Sequence, residues 1–472
     1  MTSIRVSSSV LFLISIALTV AASAQSVATL ATGVTSWQPL VQGVDGNLYG
    51  ADYAGGPGAY GSIFRIAPDG TLTTIHNFGN EAGGRLPTGL VLALNGNLYG
   101  TTKQGGSSGA PCPSPVAGCG TVFGFTSAGT LFTLHRFTGP DGMYPTGGLT
   151  IGSDGNFYGT TSGTNQKGAT GAIYGTVFKI TPDGTFTTLH TFNFTDGAYP
   201  SSPLVLGTDK RLYGTTSEGG APGAGGTVFA ITTSGTFTSL HSFTVAGGGA
   251  NPAGPLVQAA NGNFYGTTAA GGSGCNGDSG TIYYISPAGA TFVTFYQFSK
   301  TCNSGSNPNS GLVLGNDGNF YGGASGSPVN ADDAILFEIT PKIHYTNLYT
   351  FGYMMSPFGD GVNLMQSTNG IFYGTTNPST QNYPPEVFSL STGLGPFITT
   401  LPSIRGVGTK VLILGQGLTG ATSVTFNGVS AQFTVNSDTE IATTVPAGAT
   451  KGYVQVTTPS GTLTSKVIFH VG

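Results

Sequence analysis

The sequence predicts an all-β protein: a seven-bladed β-propeller of four-stranded blades, the last blade closed by an N-terminal strand, followed by an immunoglobulin-like β-sandwich. Three observations predict it. A tyrosine-glycine signature recurs at Tyr49, Tyr99, Tyr158, Tyr213, Tyr265, Tyr321 and Tyr373, with gaps of 50 to 59 residues, the mark of a repeat architecture. Each interval divides into four strand-length runs separated by turn residues, which is what a propeller blade requires. After Gly395 the repeat stops and a different pattern of short strands begins. The expected boundaries are 1–24 for a signal peptide, 25–395 for the propeller and 396–472 for the sandwich.

The N-terminus reads as a leader. Arg5 gives a weakly positive start, Val10 to Ala22 is apolar, and Ala22-Ser23-Ala24 is a small-residue cleavage site. The apolar run is short of the ~20 residues that span a bilayer. No cysteine follows the cleavage site, so a lipid anchor is not expected, and no later stretch is apolar enough to cross a membrane. The expected location is secreted or at the cell surface.

The fourth unit shows the grammar. Pro203 to Leu206 is strand A, Arg211 to Thr216 strand B, Gly226 to Ile231 strand C and Thr236 to Phe243 strand D, all rich in β-branched and aromatic residues. Asp-Gly and Asn-Gly pairs such as Asp154-Gly155 and Asn261-Gly262 suit the positive φ of hairpin turns. Blades bury both faces of their strands, so Leu48 and its neighbour Tyr49 are both apolar although they point opposite ways. The glycine after each tyrosine is expected to let adjacent blades approach. The seventh unit supplies A (Gly361 to Met365), B (Ile371 to Thr376) and C (Pro385 to Leu390) but no D. Ser26 to Thr32 precedes the first A strand and is expected to fill that place, which removes exposed edges. Beyond Gly395, runs at 408–415, 422–428, 440–446, 452–458 and 465–471 suggest the sandwich.

Two resemblances follow from these residues. Gly-Asn-Phe-Tyr-Gly-Thr-Thr, Gly-Thr-Val-Phe and Leu-His-x-Phe resemble the GloVer-type tandem repeat of exported bacterial proteins, over roughly residues 26–393. The sixth and seventh units depart from it, with Ala334-Ile335-Leu336-Phe337 and Pro385-Glu386-Val387-Phe388. The C-terminal stretch, from Gly408-Thr409 through Val424-Thr425-Phe426-Asn427-Gly428 to Val445-Pro446-Ala447-Gly448, resembles an IPT/TIG domain. That resemblance implies an immunoglobulin-like module of cell-surface proteins and, elsewhere, of DNA-binding ones. Neither implies one defined activity.

With 472 residues, 79 glycines, 7% charged and 38% apolar residues, the chain is too apolar for disorder. A net charge of −4 and no basic patch leave nucleic acid an unexpected partner. Four cysteines suit an exported protein. Cys112 and Cys119 share one B–C loop. Cys275 lies in the fifth B–C loop and Cys302 in the next D–A loop, on the same face, so two disulfides are expected.

Candidate chemistry is sparse. His76, His135, His190 and His241 share one position in strand D, the outermost strand, and are read as packing residues rather than metal ligands. Asp45, Asp154, Asp209 and Asp317 lie in A–B turns. Asp69 and Asp183 lie in C–D turns, and ten further acids fall in B–C and D–A loops on one face: Asp52, Glu81, Asp141, Asp196, Glu218, Asp278, Asp332, Asp333, Asp360 and Glu386. These are the candidate binding-face residues, because binding concentrates on long, variable loops. No unit clusters acid, base and nucleophile. Asp141-Gly142 and Asp196-Gly197 are read as turns, one carboxylate per loop being few for calcium. No metal or cofactor is expected. Trp37 suits either sugar stacking or sealing of the ring. The expected function is non-catalytic binding of a glycan or a surface protein by a monomer. A polysaccharide-active hydrolase or lyase is the alternative, and a structural spacer or adhesin component the third reading.

Overall fold

The computed structural model describes residues 25–79, 83–106, 112, 118–164, 173–244, 248–272, 279–299, 305–325, 333–351, 362–376 and 384–472. The leader, Cys275, Cys302, Glu81, Asp278, Asp332 and Asp360 lie outside the described residues. Within them the chain is strand, turn and loop, with one 3-10 turn at Pro57–Ala59. Seven four-stranded antiparallel sheets form in chain order, each hydrogen-bonded in the order A-B-C-D, and the assembly is propeller-like.

In the fourth unit the strands are Val205–Leu206, Leu212–Thr216, Thr227–Ile231 and Phe237–Ser242. Gly214 stands opposite Phe229. A methyl group at position 214 would meet that ring at 2.5 Å and Leu204 at 2.7 Å. The same crowding recurs at Gly159 with Phe178 and at Gly374 with Phe388, 2.5 Å each. The expectation for this glycine is therefore corrected: it makes room for the C-strand ring of its own sheet, not for a neighbouring blade. The second threonine of Tyr-Gly-Thr-Thr hydrogen-bonds the threonine of Gly-Thr-Val-Phe, as in Thr216 with Thr227 at 2.8 Å and Thr161 with Thr176 at 2.8 Å. Both partners are buried, so each hydroxyl satisfies the other.

Strand D carries a bulge in units one to six. Val177 pairs with His190 but Phe178 with Thr188, leaving Leu189 as the extra residue. A bulge re-aims side chains. Here His190 lies flat on Phe237 of the following unit at 3.9 Å, His135 on Phe186 at 3.9 Å and His241 on Phe292 at 3.7 Å. Tyr296 meets Tyr345 in the same way. The signature tyrosines also pack forward, Tyr213 on Phe264 at 3.9 Å and Tyr99 on Phe157 at 4.3 Å.

The ring joins end to end. Ser26–Thr32 pairs with Glu386–Ser391 as the fourth strand of the last sheet, with the D-strand bulge between Thr29 and Ala31. Tyr373 shares a core with Leu48, and Gln42 Nε2 donates to Thr368 Oγ1 at 2.8 Å.

After the seventh sheet come two further four-stranded sheets. One orders Thr399–Leu401, Lys410–Leu414, Glu440–Thr444 and Phe433–Ser437; the other orders Val429–Ser430, Ser423–Phe426, Val454–Thr458 and Gly461–Thr464. Ile398, Val411, Ile413, Val424, Phe426, Ile441, Val454 and Phe469 fill the space between them. Strands at Thr399–Leu401, Phe433–Ser437 and Gly461–Thr464 had no separate place in the sequence reading, because each is only three to five residues long.

Candidate functional site: one covered face and one open axial cavity

A meander puts A–B and C–D turns at one end of each sheet and B–C and D–A loops at the other. Each A–B turn is built alike. The aspartate or asparagine accepts the amide of the residue two places on, as Asp154 Oδ1 does from Asn156 N at 3.1 Å, an Asx turn. The same side chain then holds the signature tyrosine four places on. Tyr158 Oη donates to Asp154 Oδ2 at 2.8 Å, and Tyr49, Tyr213 and Tyr321 do likewise to Asp45, Asp209 and Asp317. Where asparagine replaces aspartate the direction reverses. Asn95 Nδ2 donates to Tyr99 Oη at 2.9 Å, with equivalents at Asn261–Tyr265 and Asn369–Tyr373. Sequence reasoning missed this lock. Its only signal was the constant spacing of four from Asx to tyrosine. Desolvation by burial, reinforced by Asp45, pushes Tyr49 up to about 12.

The C-terminal unit lies against this face. Thr439 Oγ1 donates to Val44 O at 2.6 Å in the first unit, Arg405 Nη1 reaches Ser153 O in the third, and Phe397 N donates to Thr368 O at 2.9 Å in the seventh. Leu401 and Leu414 join a core with Leu92 and Leu98 of the second unit. Lys466 and Tyr453 border the turns of the fifth and sixth units, including Asn261 and Asp317. Burial of the Lys466 ammonium, 5.6 Å from the Phe397 ring centre, pulls it down to about 7, with Asp317 opposing.

The opposite face carries the B–C and D–A loops. There a cavity of about 570 Å³ is lined by Trp37, Gln38, Thr146, Ser201, Ser202, Ser217, Asn251, Asn307, Asn309 and Asn363, with the 252–255 and 269–270 segments between them. These residues come from units one, three, four, five, six and seven, so the cavity lies where those units converge on the ring axis. Its loops are held in strained backbone. Leu86, Tyr144, Tyr199, Asn251 and Asn307 each precede a proline and each has positive φ, between 48° and 58°. Non-glycine residues seldom adopt this conformation. Each is held by an amide bond across to the neighbouring loop, such as Asn251 N to Gly225 O at 2.7 Å and Asn307 N to Ser279 O at 2.7 Å. Trp37 stacks on Tyr53 at 4.0 Å, and the Lys103 ammonium lies 5.4 Å from the indole centre.

The sequence-predicted loop acids have other employment. Asp52 is buried and accepts Thr35 N at 3.0 Å; desolvation raises its pKa against the backbone amides that stabilise the anion. Asp141 Oδ2 meets His135 Nε2 at 2.8 Å, while its Oδ1 accepts Thr138 N and Oγ1. Partial burial works against ionisation of Asp141, but His135 and Thr138 outweigh it and hold the carboxyl below the usual range. Asp196 meets His190 at 3.0 Å and accepts Asn193 N. Burial lowers the His190 pKa despite Asp196, so at neutral pH this contact is a hydrogen bond from a neutral ring. Glu218 bridges its backbone to Ala198, Asp333 is buried, and Glu386 accepts Thr29 Oγ1. None of these acids lines the axial cavity. Cys112 and Cys119 are disulfide-bonded, as expected, while the Cys275–Cys302 expectation lies outside the described residues. Among the described residues, no three His, Cys, Asp or Glu side chains gather as a metal site, and no helix is long and apolar enough to cross a membrane.

The fold and its repeated turns define a tandem-repeat protein of propeller-like architecture. A family profile described as the Gloeobacter/Verrucomicrobia repeat matches residues 5–174, 114–313, 162–388 and 222–440, and the chain belongs to that family. No curated protein gives a significant match. Among solved structures, the chain resembles a fungal alcohol oxidase of the AA5 family in complex with copper. Its TM-score is 0.50 at 13% identity, covering 94% of this chain and 98% of that one. It also resembles PorZ, a surface component of the type-IX secretion system of Porphyromonas gingivalis, with TM-score 0.46, 14% identity and coverages of 90% and 58%. A gluconolactonase from Xanthomonas campestris matches at 0.37 and 10%, over 76% and 96%. At 13% identity the likeness to the oxidase is one of fold.

Proposed function

We propose that this is an exported, non-catalytic binding protein: a seven-bladed propeller (25–395) closed by its N-terminal strand, carrying an IPT/TIG-like sandwich (396–472). The signal peptide at 1–24 sends it out of the cell, and the sandwich serves as a module of the cell surface. The bound partner is a glycan or a surface protein, engaged at the B–C/D–A face. One observation carries this reading. The C-terminal unit lies against the A–B face, and described residues of the opposite face surround an axial cavity lined without a described carboxylate. A glycoside hydrolase would need two carboxyl groups ~5–10 Å apart flanking a substrate. Asp141 and Asp196 instead accept amides of their own loops, and Asp52 accepts Thr35 N.

The test uses the mature chain on a glycan array and in pull-downs from cell surfaces. Binding that is abolished by substitutions lining the B–C/D–A face, with no turnover of the bound glycan, supports the reading. Release of reducing ends from an array-positive polysaccharide would instead establish the enzyme reading.

A further inference from the structure

We propose that the axial cavity is a binding site for neutral carbohydrate, resting on the binding reading above and naming its ligand class. Its described lining contains no charged side chain. The side chains that line it include five amides, four hydroxyls and one indole. Three of those amides have an orientation set by their surroundings. Asn307 Nδ2 donates to Ala269 O at 3.0 Å, Asn363 Nδ2 to Ser36 O at 3.3 Å and Gln38 Nε2 to Thr146 O at 3.4 Å. A backbone carbonyl only accepts, so each NH₂ must face the scaffold and each amide oxygen must face away from it. No described residue donates to these three oxygens, so they stand as preorganised acceptors for ligand hydroxyl groups.

The chemistry discriminates among ligands. A nucleic acid or acidic polymer needs lysine or arginine against its charges. A protein partner needs a buried apolar or aromatic anchor cluster. Sugar rings carry many hydroxyl donors around an apolar face, which matches amide acceptors beside an indole. The volume, about 570 Å³, lies within the range of small-molecule sites. Asn251 is exposed on the rim with φ 53°, strain that presents its amide at the mouth.

Trp37 is the chain's one tryptophan, so its fluorescence reports on this cavity alone. The mature chain is titrated with neutral gluco-, manno-, xylo- and galacto-oligosaccharides, and in parallel with uronic-acid and sialylated ones. The expected result is saturable change in Trp37 emission with neutral sugars and little with acidic ones. Asn251→Gly removes the amide while keeping positive φ accessible, so the fold is retained; affinity should fall about tenfold, the loss of roughly one buried hydrogen bond. Asn363→Ala should lose a similar factor. Neutral sugars that bind equally well to both variants would overturn the site. If no neutral sugar binds, yet a surface protein does and loses affinity with Asn251→Gly, the carbohydrate inference falls and the binding reading stands. If neither binds the wild-type chain, both fall.

Discussion

The Asx–tyrosine lock makes a prediction with internal controls. Asp154 receives four bonds: Tyr158 Oη at 2.8 Å, Asn156 Nδ2 at 2.7 Å, Asn156 N at 3.1 Å and Lys179 Nζ at 3.2 Å. Tyr158→Phe removes one donor and leaves the carboxylate three. The expected cost is about 1.5 kcal/mol, the low end for a bond to a charged group, since Asp154 is partly exposed. Asp154→Ala is worse. It takes the carboxylate acceptor from the hydroxyl of buried Tyr158 and deletes the Asx turn, about 3 kcal/mol together. The double variant should fall short of the sum by about 1–2 kcal/mol, because the two residues share one bond. Asp154→Asn should lie within about 1 kcal/mol of wild type, because Asn95, Asn261 and Asn369 already make the reversed bond. The pH dependence has a definite sign. Burial opposes ionisation of Asp154, but Tyr158 leads the hydrogen bonds that hold its pKa below the ordinary value. Its contribution is present above about pH 4 and is lost as pH falls through the folded pKa. Asp154→Asn removes that dependence. Urea titrations followed by circular dichroism at pH 7 and pH 3 measure all four proteins. If Asp154→Asn destabilises as much as Asp154→Ala at pH 7, the reversible lock is wrong.

Other perturbations follow from single contacts. Gly214→Ala should destabilise by about 1–3 kcal/mol through overpacking against Phe229 and Leu204, read as a lower urea midpoint with unchanged slope. Tyr49 sits at about 12, and burial also pushes up Tyr158, Tyr213 and Tyr321. Stability from these neutral tyrosines is full below pH 10 and is lost as pH rises through each folded value, near 12 for Tyr49; absorbance at 295 nm should show them ionising late, together with loss of ellipticity. Lys466, lowered to about 7, binds its proton less well folded than unfolded. Stability should therefore rise with pH from about 7 to 10, and Lys466→Met should flatten that slope in thermal melts.

The seven-fold period, the four strands of each unit and the N-terminal strand that completes the last sheet were legible in the chain. Each is a local pattern of apolar alternation and turn residues. Even the bulge is foreshadowed, since Thr29-Leu30-Ala31-Thr32 matches Thr188-Leu189-His190-Thr191 with alanine for histidine. The Cys112–Cys119 bridge was equally local. The glycine after each tyrosine was assigned to the wrong neighbour, because only strand register puts Gly214 across from Phe229. The loop acids were read as binding residues from position alone. Register and the D-strand bulge bind Asp141 and Asp196 to histidines six places earlier in the chain.

Sequence alone therefore determined the repeat and its strands, because their signals lie within a few residues of one another. Tertiary structure alone decided which face the C-terminal unit covers and what lines the centre of the other. The C-terminal unit covers the A–B turns through contacts such as Thr439 to Val44, 395 residues apart. The axial cavity takes residues from six of the seven units, and circular closure brings Gln38 and Asn363 to one mouth. No local pattern marks such residues, since each is an ordinary loop serine or asparagine until the ring closes around it.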